Sequence, residues 1–269
     1  MKIQVDGEAL YGYMGGESHH SGAPNVVFLH GAAMDHVVWT LYSRYWAKAG
    51  YNVLALDLPG HGLSGGQPAT TVEQYADTVT EVLAAQSMTE KLHLVGHSMG
   101  SLIALECAAK MPGTVCLAMM GTAFPMAVSQ PLLDAAKAND HSSVDMISLF
   151  GHSFGSQLGG NPVAGISAQM LAERLMEQAG DGVMYAGLNA CNLYQRGEQT
   201  AASVKCPVGL ILGEHDSMTP PRAAAALYEH FPSASRQIIE DCGHMMMTEK
   251  PEATHRALCR VFEGSVAGD

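Results

Sequence analysis

The chain has 269 residues, 47% hydrophobic and 15% charged, which supplies one sizeable core and argues against disorder. Its 14 Lys and Arg face 26 Asp and Glu, and the formal charge of −12 repels phosphate backbones and anionic lipid, so neither nucleic acid nor membrane is expected as a partner. Six cysteines without a C-x-x-C pair suit small buried hydrophobes in a reducing compartment, and neither a signal-like start nor a membrane-length apolar run is present, so a cytoplasmic location is expected.

In chain order, KIQV and ALYGYM flank a DG pair and predict a hairpin. NVVFLH (25–30), NVLALD (52–57), KLHLVG (91–96) and VCLAMMG (115–121) are short and almost wholly apolar, the pattern of strands buried on both faces of a parallel sheet. Helical spacing of apolar residues marks 37–50 and 71–87, and the helix of SLIALECAAKMPG stops where Pro112 and Gly113 forbid another turn. Between 122 and 202 the alternation breaks into Met- and Ala-rich helical stretches around a Gly-rich segment, GHSFGSQLGGNPVAG. The rhythm returns with PVGLILG (207–213), a helix over 220–231, RQIIE (236–240) and a helix over 251–263. This predicts an α/β class fold, a doubly wound and mostly parallel sheet, with its core in 1–121 and 203–269 and a helical cap in 122–202.

Two pentapeptides match G-x-S-x-G, GHSMG at 96–100 and GHSFG at 151–155. Only the first stands between a strand and a helix, the sharp turn that lifts a serine oxygen above a sheet. Ser98 is therefore the candidate nucleophile, and Ser153 reads as part of a Gly-rich loop in the cap. A nucleophilic serine needs a base and a group that orients the base. His244 follows the last strand in EDCGHMMMTEKPE, and Asp216 follows the penultimate strand in LILGEHDSMTP, both at the carboxyl edge of the sheet. Glu214 and His215 find no further ligand at metal-like spacing, so no metal is expected. His30 reads as a loop brace, and His97 points away from the reaction.

Four motifs now stand in order. HGAAMDHVVW (30–39), DLPGHGLS (57–64), GHSMG, and GEHDSMTP with DCGH together resemble the α/β-hydrolase superfamily, over roughly 3–121 and 203–263. The resemblance implies a capped serine hydrolase with the triad Ser98, Asp216 and His244, an oxyanion hole from the backbone N–H groups of Ala32 and Met99, and no cofactor. It implies acyl transfer through an acyl-serine; if the Met- and Leu-rich stretches of the cap line the pocket, small to medium, largely uncharged carboxylic esters are expected to fit better than charged ones. The Asp57–Ser64 turn is read as structural and Asp35 as a helix cap. His36, beside the oxyanion loop, and Met245, beside the base, are expected to touch substrate. Carbon–carbon hydrolysis of diketo acids is the alternative; it wants a cation for the substrate carboxylate, and Arg196 is its candidate, ahead of Arg174. A perhydrolase or a ligand receptor on the same fold are the remaining alternatives.

Overall fold

The computed structural model describes residues 1–5 and 7–266, with side chains through 264. Among these residues eight strands form one sheet: β1 (Lys2–Val5), β2 (Glu8–Tyr13), β3 (Asn25–Leu29), β4 (Asn52–Asp57), β5 (Leu92–His97), β6 (Thr114–Met120), β7 (Val208–Gly213) and β8 (Ser235–Ile239). Their spatial order is β1-β2-β4-β3-β5-β6-β7-β8, antiparallel at the first two joins and parallel at the rest. The hairpin expected around DG pairs Lys2 with Tyr11 and Val5 with Glu8, though Asp6 lies outside the described residues. Every residue of β3, β4, β5 and β7 is buried, which is why these runs read as continuously apolar.

From β3 the chain steps to β4 on one side and then crosses to β5 on the other, with Leu29 in register with Gly96. This reversal opens a crevice at the carboxyl ends of β3 and β5, where open α/β sheets hold their ligands. Side-chain alternation divides each strand between two cores. Val27 and Leu29 face α2 (Val72–Ala85) and α3 (Met99–Lys110), joined by Tyr75, Val79 and Leu102. Val26 and Phe28 face the other way, toward α1 (Thr40–Lys48), with Trp39 stacked on Phe28 at 5.2 Å.

Between β6 and β7 come α4 (Gln130–Lys137), α5 (Ser142–Gly151), α6 (Phe154–Gln157), α7 (Ala168–Gln178), α8 (Val183–Leu193) and α9 (Gly197–Ser203). After β7 the predicted helix over 220–231 is a 3-10 turn, Pro221–Ala224, leading into α10 (Ala225–His230). Then α11 (Met246–Glu249) and α12 (Pro251–Val266) follow β8. Helices α4, α5, α7 and α8 pack on one another; α8 also rests on α3, and α9 packs between α3 and α10. No helix among the described residues is long and apolar enough to cross a membrane.

Two fully buried histidines lock the carboxyl edge. His30 Nε2 accepts the Leu58 N–H at 3.0 Å, so the ring proton sits on Nδ1 and is donated to the Gly31 carbonyl at 2.8 Å. His97 donates from Nε2 to the carbonyl of His244 at 2.9 Å. Burial first, then a neighbouring histidine (His61 for His30, His244 for His97), pushes each pKa down to about 3. In the unfolded chain both rings take up a proton near pH ~6.5, so acid favours unfolding from there down to the folded values. Stability from this source is intact above that window and is lost as pH falls through it, by up to ~1.4 kcal/mol per pH unit for each ring. Urea unfolding followed from about pH 7 to about pH 4 is expected to show this loss, and His97→Gln to flatten it by about one proton. An unchanged slope in the variant contradicts the neutral buried state.

Candidate active site

Ser98 sits between β5 and α3 with φ 54 and ψ −121, a left-handed backbone that a side chain rarely tolerates. The flanking glycines make the turn feasible. A Cβ on Gly96 would strike the Gly100 carbonyl, and one on Gly100 would strike the carbonyl of Leu29 on the neighbouring strand. The serine is thereby held above the strand ends, partly exposed, at the N-terminus of a twelve-residue helix.

The loop after β7 carries Asp216 and the loop after β8 carries His244, 3% and 1% exposed. His244 Nδ1 lies 2.8 Å from Asp216 Oδ2. The carboxylate is further held by the N–H groups of Met218 (2.9 Å) and Thr219 (2.7 Å) on Oδ1, and by the Thr219 hydroxyl (2.7 Å) on Oδ2. Burial by itself would raise the Asp216 pKa. The facing imidazole and the Thr219 donors outweigh it and bring the carboxyl down to about 2. An ionised Asp216 accepts the proton on Nδ1 and leaves Nε2 as the basic atom of the ring. The His244 backbone is fixed as well: its N–H donates to the Gly151 carbonyl at 2.9 Å and its carbonyl accepts from His97. Gly121, at φ 51, gives the ring room, since a Cβ there would stand 3.0 Å from Cε1 and Nδ1.

Ser98 and His244 open together into a cavity of about 370 Å³. Its remaining wall is largely apolar: Met126, Val128, Leu132, Met146, Phe150, Leu188 and Met218. Ser129, Ser217 and Thr219 are the hydroxyl-bearing residues beside Ser98, and no Asp, Glu, Lys or Arg is among the described residues lining it. Behind the serine a narrow space of about 20 Å³ is bounded by Gly31, Ala32, Met34 and Met245. Ala32 borders both spaces beside Ser98, and Met99 is the first residue of α3, whose leading N–H groups have no intrahelical partner. Gly187 of α8 presses on both residues: a Cβ there would lie 2.8 Å from Ala32 Cβ and 3.1 Å from Met99 Sδ.

Of the residues expected to touch substrate, Met245 borders the narrow space and the other two stand elsewhere. His36 is captured by Asp57, whose Oδ1 accepts from its backbone N–H at 2.7 Å and lies 2.8 Å from its Nδ1. Its ring lies 4.9 Å from that of Tyr11, outside both cavity walls. Arg196 is exposed at the start of α9, and Arg174 pairs with Glu177 at 2.6 Å on the surface. Ser153 caps α6, its hydroxyl accepting from Ser156 N–H at 3.3 Å. Asp35 accepts from Val37 N–H at 2.8 Å, and Asp57 also takes the Leu63 N–H, so that turn is a structural knot. The fold brings Asp241 beside Glu214 and His215, a second acidic residue that spacing did not reveal; all three are exposed. Sequence reasoning missed Thr219, although a threonine three residues after a loop aspartate is a recognisable turn signal. It also missed Leu188 and Cys191, whose inward face depends on how α8 lies on α3.

Comparisons with known proteins bear on the family and the fold. The sequence profile of the alpha/beta hydrolase family matches residues 26–257. The dihydrolipoyllysine-residue acetyltransferase component of the acetoin cleaving system from Cupriavidus necator is 31% identical over 245 residues, 85% of this chain but only 61% of that protein's length. A pimeloyl-acyl-carrier-protein methyl ester esterase from Aromatoleum aromaticum is 29% identical over 248 residues, covering 85% of this chain and 94% of that one. Among solved structures, the enol-lactonase from Burkholderia xenovorans has a TM-score of 0.82 at 21% identity, covering 98% of this chain and all of the other. A thermophilic esterase gives a TM-score of 0.78 at 22% identity, covering 98% and 97%. The sheet order, the turn at Ser98 and the family match over most of the chain lead to one conclusion: this protein belongs to the alpha/beta hydrolase family.

Proposed function

We propose that the protein is a serine carboxylesterase for small to medium, largely uncharged esters, with residues 122–202 as its cap. The observation that carries this reading is one cavity that joins Ser98 and His244 to a largely apolar wall without a charged lining side chain. Nε2 of His244 takes the Ser98 proton as Oγ attacks the ester carbonyl carbon. The N–H groups of Ala32 and Met99 hold the oxyanion, each contributing about 3 kcal/mol in the transition state. Collapse of the tetrahedral adduct expels the alcohol, which receives its proton from His244. Water, giving a proton to Nε2, then cleaves the acyl-serine and restores the hydroxyl. Asp216 keeps the proton of the neutral ring on Nδ1 and stabilises the imidazolium in both halves.

The absence of Lys and Arg from the described cavity wall favours esters over diketo acids, whose carboxylate would be desolvated there without a partner. The rim fits an apolar chain. No Asp, Glu, Lys or Arg occurs from Met146 to Ala172, and Phe150 both lines the cavity and is half exposed.

On p-nitrophenyl acetate, butyrate and octanoate, Ser98→Ala is expected to abolish turnover and Ser153→Ala to retain it. The reverse result removes Ser98 from the nucleophile position. From acetate to butyrate, kcat/KM is expected to rise, at most about fourfold per methylene, and a monoester carrying a free carboxylate should be at least about tenfold poorer than its neutral analogue. Equal rates on the charged and neutral esters contradict the apolar cavity as the acyl site. Gly187→Val, which drives a side chain into Ala32, is expected to lower kcat about tenfold or more with little change in KM, because the oxyanion contact exists only in the transition state. A wild-type kcat in that variant removes Ala32 from the oxyanion hole.

A further inference from the structure

The second G-x-S-x-G segment has a structural partner that the chemistry above does not use. Gly151, the last residue of α5, accepts with its carbonyl from both the His244 and the Met245 N–H, at 2.9 and 3.1 Å. Two residues on, the Ser153 N–H donates to Glu249 Oε2 at 2.9 Å. The other oxygen of that carboxylate, Oε1, accepts from Gly243 N–H at 3.1 Å, immediately before the base. Glu249 is 2% exposed. The two segments touch so closely that a Cβ on Gly243 would stand 2.7 Å from Ser153 N and 2.8 Å from Gly151 O.

We propose that Glu249 is a positioning residue for His244, its buried carboxylate clasping the α5–α6 junction onto the loop that carries the base. The proposal rests on the esterase reading above and deepens it. The same helix then serves both ends of the reaction: Met146 and Phe150 of α5 form cavity wall, while its last carbonyl and the clasp hold the base loop. An ionised carboxylate suits this task because both oxygens are acceptors, and charge-assisted bonds to N–H groups are stronger than neutral ones. Glutamine at 249 keeps one acceptor and turns an amide N–H₂ toward the other N–H, which splits the clasp.

Three variants isolate the effect. Glu249→Gln breaks the clasp at the carboxylate. Ser153→Pro removes the single donor N–H while fitting the backbone, since Ser153 has φ −63 and the preceding His152 is extended at φ −117, ψ 144. Ser153→Ala deletes the helix-capping hydroxyl and keeps the N–H. With p-nitrophenyl butyrate, Glu249→Gln and Ser153→Pro are expected to lower kcat about tenfold to a hundredfold with KM within about threefold, as for a base displaced by a fraction of an ångström. Ser153→Ala should stay within about twofold of the wild type. The rate at which an alkyl p-nitrophenyl phosphonate labels Ser98 should fall in step with kcat. Wild-type kcat and labelling rate in Glu249→Gln and Ser153→Pro, or a loss confined to KM, overturns the clasp while leaving the esterase reading standing. A wild-type protein that neither turns over esters nor takes the label overturns that reading, and the clasp with it. Should Glu249→Gln lose its fold, Ser153→Pro still decides, because it leaves the carboxylate in place.

Discussion

The arrangement at the carboxyl edge turns on the buried contact between His244 Nδ1 and Asp216 Oδ2, 2.8 Å long. Burying a carboxylate is costly unless its oxygens are fully engaged. Here the cost is offset by the N–H groups of Met218 and Thr219, the Thr219 hydroxyl and the imidazole itself. The result is a carboxyl held down to about 2, ionised across the neutral range, and a ring whose Nδ1 faces that carboxylate with the Thr219 hydroxyl 3.1 Å away. Everything nearby conforms to that pair. Gly121 has no side chain where one would press on the ring, and His97 spends its only proton on the His244 carbonyl.

The two halves of the site reach each other because the order of the strands reverses at β3. The loops after β3 and β5 become neighbours there, and a Cβ on Gly31 would stand 3.2 Å from Ser98 Cβ. His30 holds the first of these loops against the exit of β4. Helix α8 closes over them with Gly187, the small residue that lets its backbone approach Ala32 and Met99. The helices between β6 and β7 therefore do more than cover the crevice. Through Gly187 they touch the loop beside the serine, and through Gly151 they bond to the loop of the histidine.

The core was legible because its strands have no other way to be satisfied: a run such as NVLALD is buried along its whole length and admits neither a surface strand nor a short exposed helix. Ser98, Asp216 and His244 could be singled out as candidates for a related reason: Ser98 follows β5 directly, and the other two stand in the loops that leave β7 and β8 at the same edge of the sheet. Side chains whose direction depends on distant partners were not legible. His36 stands close to the loop after β3 in sequence, yet its ring is held by Asp57, arriving on β4, and lines no part of the cavity. Arg196 precedes the return to the core but starts α9 on the exposed side. The pairing of Glu249 with Ser153 spans 96 positions and has no local signature. Which residues between β6 and β7 line the cavity likewise depends on the face each helix turns inward, and Met126, Leu132, Met146 and Phe150 are among those that reach it.

The most direct test of the central claim is to trap the covalent intermediate. Wild-type protein mixed with p-nitrophenyl butyrate, quenched in acid within the first turnover and digested, is expected to carry a butyryl group on the peptide containing Ser98. Turnover with the group on the Ser153 peptide, or with no acylated peptide and no burst of p-nitrophenol, would contradict a mechanism that runs through an acyl-Ser98 enzyme.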